Sequence, residues 1–195
     1  MIERATPIET LSAPPTFEDL LRTVAELNTP DGFKAELIRG KIVVSPWSLR
    51  RYYRPMRALR KQLEAHAPEG HVADIAPFLF QFPEAGRAYG PDLYVVDESG
   101  FEGEGRHLDA AALSLVTEFT SVSTKDVDWH EKLDVYGQLV PVHLVVDMQA
   151  SEITCFWEPS PHGYRSRRTV SFGEPLPVPA PFGFEIDTTG FRPAR

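Results

Sequence analysis

Two runs decide the fold: Pro91-Asp92-Leu93-Tyr94-Val95-Val96 and Leu113-Ser114-Leu115-Val116-Thr117-Glu118-Phe119-Thr120. Each is short, rich in β-branched and aromatic residues and bounded by turn residues, which reads as a buried strand. An acid inside such a run is costly unless a metal or a partner compensates it, and the runs carry Asp92 and Glu118. If the strands are neighbours, both carboxylates converge at one sheet edge. Glu131-Lys132-Leu133 follows on a helix, from which Lys132 can reach them. Two carboxylates with an ammonium beside them are the parts of a hard-cation site with a base.

Only a loop, Asp97 to Asp109, separates the two runs, so they are expected to pair antiparallel. Beyond Glu118, Ser123 or Thr124 offers a helix start, and Trp129, Leu133, Tyr136 and Val140 give that helix a buried stripe before Pro141 stops it. The strand Val142-His143-Leu144-Val145-Val146-Asp147 is reached through a helix and is expected to run parallel to the Glu118 strand. Ser151 to Trp157 and Tyr164 to Phe172 read as a hairpin, and the Pro-rich connector 175–181 leads to a last strand, Phe184-Glu185-Ile186-Asp187.

Upstream, residues 1–15 read as an extended arm. Thr16 is a candidate N-cap with Asp19 in the first turn, followed by the stripe Phe17, Leu20, Leu21, Val24 and Leu27. Residues 35–44 form two β runs around Arg39-Gly40, a hairpin signal. Tyr52, Met56, Leu59 and Leu63 mark the core face of a second helix, with regular helix expected near Arg54 because of Pro55. Arg54, Arg57 and Lys61 fall on its opposite face. The segment His71 to Phe82 reads as one long strand with an edge position or bulge at Pro77. The middle of the chain is therefore α-β-β-β-α-β.

The 195 residues, 42% of them hydrophobic, suit one domain, taken as residues 16–195. The lone Cys155 permits no internal disulfide and, with no signal-peptide pattern or membrane-length apolar run, suggests a soluble cytoplasmic protein. A formal charge of −8 argues against generic nucleic-acid binding, yet Arg39 to Lys61 contains no acid at all. The six histidines lack zinc spacing, and no Gly-Lys-Ser/Thr phosphate loop is present.

The order of these elements resembles the core of the PD-(D/E)XK nuclease superfamily. More specifically, Glu36-Leu37-Ile38-Arg39-Gly40-Lys41, Pro91-Asp92, Glu118-Phe119-Thr120, Asp128 with Glu131-Lys132-Leu133 and Tyr136, and Leu144-Val145-Val146-Asp147 look like the Uma-two family of restriction-type endonucleases. That resemblance implies metal ligation by Asp92 and Glu118, and a lysine moved from the strand, where Thr120 stands, to the helix at Lys132. It implies an accessory role for Glu36. His143 and Leu144 replace the family's usual aromatic pair.

The expectation is a restriction-endonuclease-like α/β domain with an N-terminal helix and hairpin and C-terminal β additions. Its function would be Mg²⁺-dependent, or Mn²⁺-dependent, hydrolysis of phosphodiester bonds, with DNA as the substrate. Arg54, Arg57 and Lys61 would hold phosphates, and a homodimer would cut two strands. Three plainer readings stand beside it. Glu118 and Lys132 can form a buried ion pair in a structural homodimer. The fold can be a catalytically silent module that binds nucleic acid or protein. Lys132 and the basic helix face can simply be solvated, and Asp92 can be a turn acid.

Overall fold

The computed structural model describes residues 14–46, 52–102, 105, 107–120 and 130–191. Two sheets face each other. The central one has six strands: β3 (His71–Asp74), β6 (Leu93–Asp97), β8 (Leu113–Thr120), β9 (Val142–Asp147), β10 (Glu152–Trp157) and β11 (Ser166–Ser171), in the order β11-β10-β9-β8-β6-β3. The second has five: β1 (Phe33–Ile38), β2 (Lys41–Pro46), β4 (Leu79–Phe82), β5 (Arg87–Tyr89) and β7 (His107–Asp109), in the order β2-β1-β5-β4-β7. A short pair, β12 (Leu176–Val178) and β13 (Phe184–Ile186), completes the C-terminal additions.

The expected pairings hold where they matter most. β6 and β8 are antiparallel neighbours, and β8 and β9 are parallel across helix α3 (Lys132–Leu139). With α2 (Tyr53–Ala65) ahead of β3, the order α-β-β-β-α-β is present. α1 (Phe17–Glu26) starts at Thr16, whose hydroxyl accepts from the Asp19 N–H while the Asp19 carboxylate accepts from the Thr16 N–H, a reciprocal cap. Arg39 and Gly40 both have positive φ, the geometry of a tight hairpin turn.

Two expectations are corrected. The run His71 to Phe82 is not one strand: β3 belongs to the central sheet and β4 to the second, with residues 75–78 crossing between them. Pro77 cannot donate to a ladder, so the chain breaks and changes sheets there. The segment Asp97 to Asp109 is not merely a loop. It contains a 3₁₀ turn at Glu98–Phe101, and β7 then pairs parallel with β4. The helix start expected at Ser123 or Thr124, together with Asp128 and Trp129, lies outside the described residues, as does most of the N-terminal arm.

Side chains alternate across β6 and β8, so the central sheet has two distinct faces. On one, Leu93, Val95, Leu115 and Phe119 pack against Tyr52, Leu59 and Leu63 of the α2 segment. On the other, Tyr94, Val96 and Val116 pack against Phe80, Tyr89 and Tyr136 from the second sheet and α3. Asp92 and Glu118 share the parity of this second face. The central sheet is therefore flanked by a helix on one side and by a second sheet with α3 on the other, rather than by helices alone. Among the described residues, no helix is long and apolar enough to cross a membrane.

Candidate active site

The carboxylates meet where the second sheet closes over the ends of two interior strands of the first. Asp92 stands one residue before β6, and its Oδ2 accepts from the Phe119 N–H at 2.9 Å, which ties it to the residue after Glu118. Glu118, 2% exposed, points from β8 into the space between the sheets. β1 of the second sheet supplies Glu36. Helix α3 supplies Lys132, whose Nζ lies 3.0 Å from Glu118 Oε1 and 3.0 Å from Glu36 Oε1. One ammonium thus joins an acid from each sheet, and Lys132 is 2% exposed rather than a solvated flank.

Two further groups complete the arrangement. The Tyr136 hydroxyl, one helical turn after Lys132, donates to Glu118 Oε1 at 2.9 Å. Lys34, two residues before Glu36 and so on the same face of β1, donates to the Gly90 carbonyl at 2.6 Å and lies 3.5 Å from Asp92 Oδ1 and 4.0 Å from Glu36 Oε1. The result is a continuous line, Asp92, Lys34, Glu36, Lys132, Glu118, Tyr136, with three carboxylates against two ammoniums. The Gly90 N–H also donates to Glu36 Oε1 at 2.9 Å.

The electrostatics follow from this alternation. Burial by itself would raise the Glu36 pKa, but Lys132, then Lys34 and the Gly90 N–H, hold it below the usual carboxylate value. Burial would lower Lys34, but Glu36 and Asp92 outweigh it and its ammonium is held above the ordinary value. Tyr136 is pushed well above the usual phenol range by burial and then by Glu118 and Glu36, so it stays a donor. The Lys132 Nζ also lies 5.7 Å from the centre of the Tyr89 ring.

The helix that carries Lys132 is anchored by its neighbour. Glu131, also buried, accepts from Arg87 Nε at 2.9 Å and pairs with Arg39 at the hairpin turn. Burial would raise its pKa, and the hydrogen bonds from Arg87 and Arg39 hold it low instead.

Lys34, Arg87 and the Glu131 clamp escape a reading by motif. The signal available for Lys34 was its i, i+2 spacing to Glu36. The structure does not bring Arg54, Arg57 or Lys61 to the carboxylates: they are exposed on α2, behind the opposite face of the central sheet. His143 is fully buried and stacks edge-on against Tyr136 at 4.9 Å. It lies among the aromatic rings of the core, with Phe156 and Tyr164 also beside it.

Asp92 and Glu118 are hard oxygen donors from adjacent strands, and Mg²⁺ characteristically takes one or two carboxylates with waters and phosphate oxygens. The donor set therefore fits such an ion. Among the described residues, no group of three or more His, Cys, Asp and Glu is placed to hold a metal ion.

The order α-β-β-β-α-β, with acids at the ends of two adjacent interior strands and a lysine from the next helix, defines a mixed α/β protein with a buried acid–lysine cluster. The family described as "Putative restriction endonuclease" matches residues 15–189, and the chain belongs to this Uma2 family. A crystal structure of "a putative nuclease belonging to DUF820" from Anabaena variabilis is similar, with a TM-score of 0.69 at 14% identity, over 91% of this chain and 97% of that one. At that identity the likeness is one of fold. No curated protein matches the sequence.

Proposed function

We propose that the protein is a divalent-metal-dependent endonuclease that hydrolyses phosphodiester bonds in DNA. The observation that carries this reading is that Asp92, bonded to the Phe119 N–H and beside Lys34, and Glu118, paired with the buried Lys132 ammonium from α3, stand at neighbouring positions on adjacent interior strands. Asp92 and Glu118 would hold Mg²⁺ or Mn²⁺, which supplies Lewis acidity and a water of lowered pKa. Lys132 pairs with Glu118, holds Glu36 ionised and balances charge that develops at the phosphate. Tyr136 fixes the Glu118 carboxylate by its hydrogen bond, and Glu36 holds Lys132 from the opposite sheet. Double-strand cutting would use two subunits, checked by measuring mass at working concentration.

One observation favours a second reading, a silent fold stabilised by its ion pairs: Lys132 is already paired with both Glu36 and Glu118. Cleavage of a supercoiled plasmid and a single-stranded oligonucleotide in Mg²⁺ or Mn²⁺ separates the two. Nicking by the wild type, lost in Asp92→Asn and Lys132→Ala, is expected. Nicking that survives Asp92→Asn rejects the site. Mn²⁺ should also raise the wild-type melting temperature and leave Asp92→Asn unmoved, since a ligand stabilises only the state that binds it.

A further inference from the structure

The two ammoniums of the site differ in what they can touch. The Lys132 side chain is 3% exposed and enclosed by Glu36, Glu118 and Tyr89. Lys34 is 11% exposed and forms part of the wall of an open cleft of about 310 Å³ between the end of α1 and the second sheet. Leu27, Phe33, Phe78 and Gly90 line the same cleft. Leu27 and Phe33 are among the exposed large apolar residues of the protein, at 41% and 40%. The cleft therefore has a cation beside the carboxylates at one end and apolar, partly aromatic walls at the other.

We propose that this cleft receives one unpaired nucleotide of the substrate strand, its phosphate at Lys34 and its base against Phe33, Phe78 and Leu27. The proposal rests on the phosphodiesterase reading and names its substrate as a strand with an accessible, unstacked base. Charge favours this route. An acidic cluster on a protein of net charge −8 repels phosphate, and Lys34 is the site ammonium that meets the cleft. Size favours it too, because a cleft at the small end of the range for small-molecule sites holds one nucleotide and not a stacked duplex. Bases stack on aromatic side chains with little regard to sequence, which suits a cleft whose walls are mostly apolar.

Gly90 gives a test that leaves the fold alone. A Cβ at this position would meet the Phe78 carbonyl oxygen at 3.4 Å and Lys34 Cδ at 4.0 Å, ordinary contacts for the single methyl group of Gly90→Ala, which narrows the cleft. The experiment compares wild type, Gly90→Ala, Phe33→Ala, Lys34→Ala and Lys34→Arg. Each is first melted to confirm folding, then assayed in Mn²⁺ on single-stranded and duplex oligonucleotides of one sequence. Binding of a fluorescent oligo-dT is measured by anisotropy in Ca²⁺.

The single strand should be cut faster than the duplex. Phe33→Ala should raise KM for it by about tenfold, the scale of one lost stacking contact, and Gly90→Ala should raise it in the same direction. Lys34→Arg should recover part of what Lys34→Ala loses. Variants that cut and bind as wild type, or a duplex cut faster than the single strand, overturn the proposal. If the wild type cuts nothing, the nuclease reading fails separately, and anisotropy decides the cleft: weaker oligo-dT binding by Phe33→Ala supports it, whereas unchanged binding or no wild-type binding overturns it.

Discussion

At the scale of single residues, Glu118 shows how site and stability are joined. Removing its carboxylate leaves Lys132 buried with half its counter-charge and Tyr136 without an acceptor. Lys132 keeps Glu36 as its partner, so the cost is set mainly by the orphaned Tyr136 hydroxyl, about 1–3 kcal/mol, and Glu118→Ala should lower the denaturant midpoint accordingly. Glu118→Gln keeps an acceptor for Tyr136 and should cost less. Equal losses in urea titrations would show that the lost charge, which both variants share, and not the Tyr136 hydrogen bond sets the cost. His143 makes a pH prediction. Burial, then the Lys132 charge, pulls its pKa from 6.5 to about 3, and neither ring nitrogen has a hydrogen-bond partner among the described residues. Below about pH 6.5 the unfolded chain takes a proton that the folded protein refuses until about pH 3, so the full stability present above this window is lost as pH falls through it. At pH 5 the loss is on the order of 2 kcal/mol. His143→Phe should remove that slope and leave activity intact. Parallel stability curves from about pH 7.5 to 5 would contradict this account. Glu118 was legible in the sequence because an acid in an apolar run demands an explanation. Lys34 was not, since a lysine near a strand end is ordinary until a second sheet folds over it.

At the scale of elements, the placement of Lys132 depends on how α3 is docked. Gly137 lies on the face of α3 that meets the turn between β10 and β11: a Cβ there would come within 2.9 Å of Gly163 Cα and 2.9 Å of the Tyr164 nitrogen. The Ser160 N–H donates to the Gly137 carbonyl and the Tyr164 hydroxyl to the Val140 carbonyl, which binds the same turn to the helix. Ala is about 1 kcal/mol better than Gly inside a helix, but overpacking typically costs about 1–3 kcal/mol. Here the obstructing atoms are backbone, which cannot rotate away, so the steric term should win. Gly137→Ala is expected to lower the melting temperature and, by displacing α3, to reduce cleavage. An unchanged melting curve would show that the turn yields without cost. The helix itself was readable from Leu133, Tyr136 and Val140. The second sheet was not readable as a sheet, because the period of a strand reports which side chains are buried and says nothing of the neighbour that buries them. That is why β3 and β4 looked continuous and β7 passed for loop.

At the scale of the molecule, the same two-sheet construction separates the site from the basic helix face. α2 covers one face of the central sheet and the carboxylates lie on the other. A helix and a sheet layer between them put Arg54, Arg57 and Lys61 on the order of 15–20 Å from Glu118, about twice the Debye length of roughly 8 Å at physiological salt. Charges at that range are screened from the scissile phosphate and act only on nucleic acid long enough to touch them directly. The triple variant Arg54→Ala, Arg57→Ala, Lys61→Ala should therefore cut a short oligonucleotide as the wild type does at physiological salt. On a plasmid it should bind more weakly, with a shallower dependence of affinity on salt, because fewer counterions are released. A marked loss on the short oligonucleotide would mean that α2 reaches the reacting strand, and that the substrate crosses the edge of the central sheet instead of entering the cleft beside Lys34.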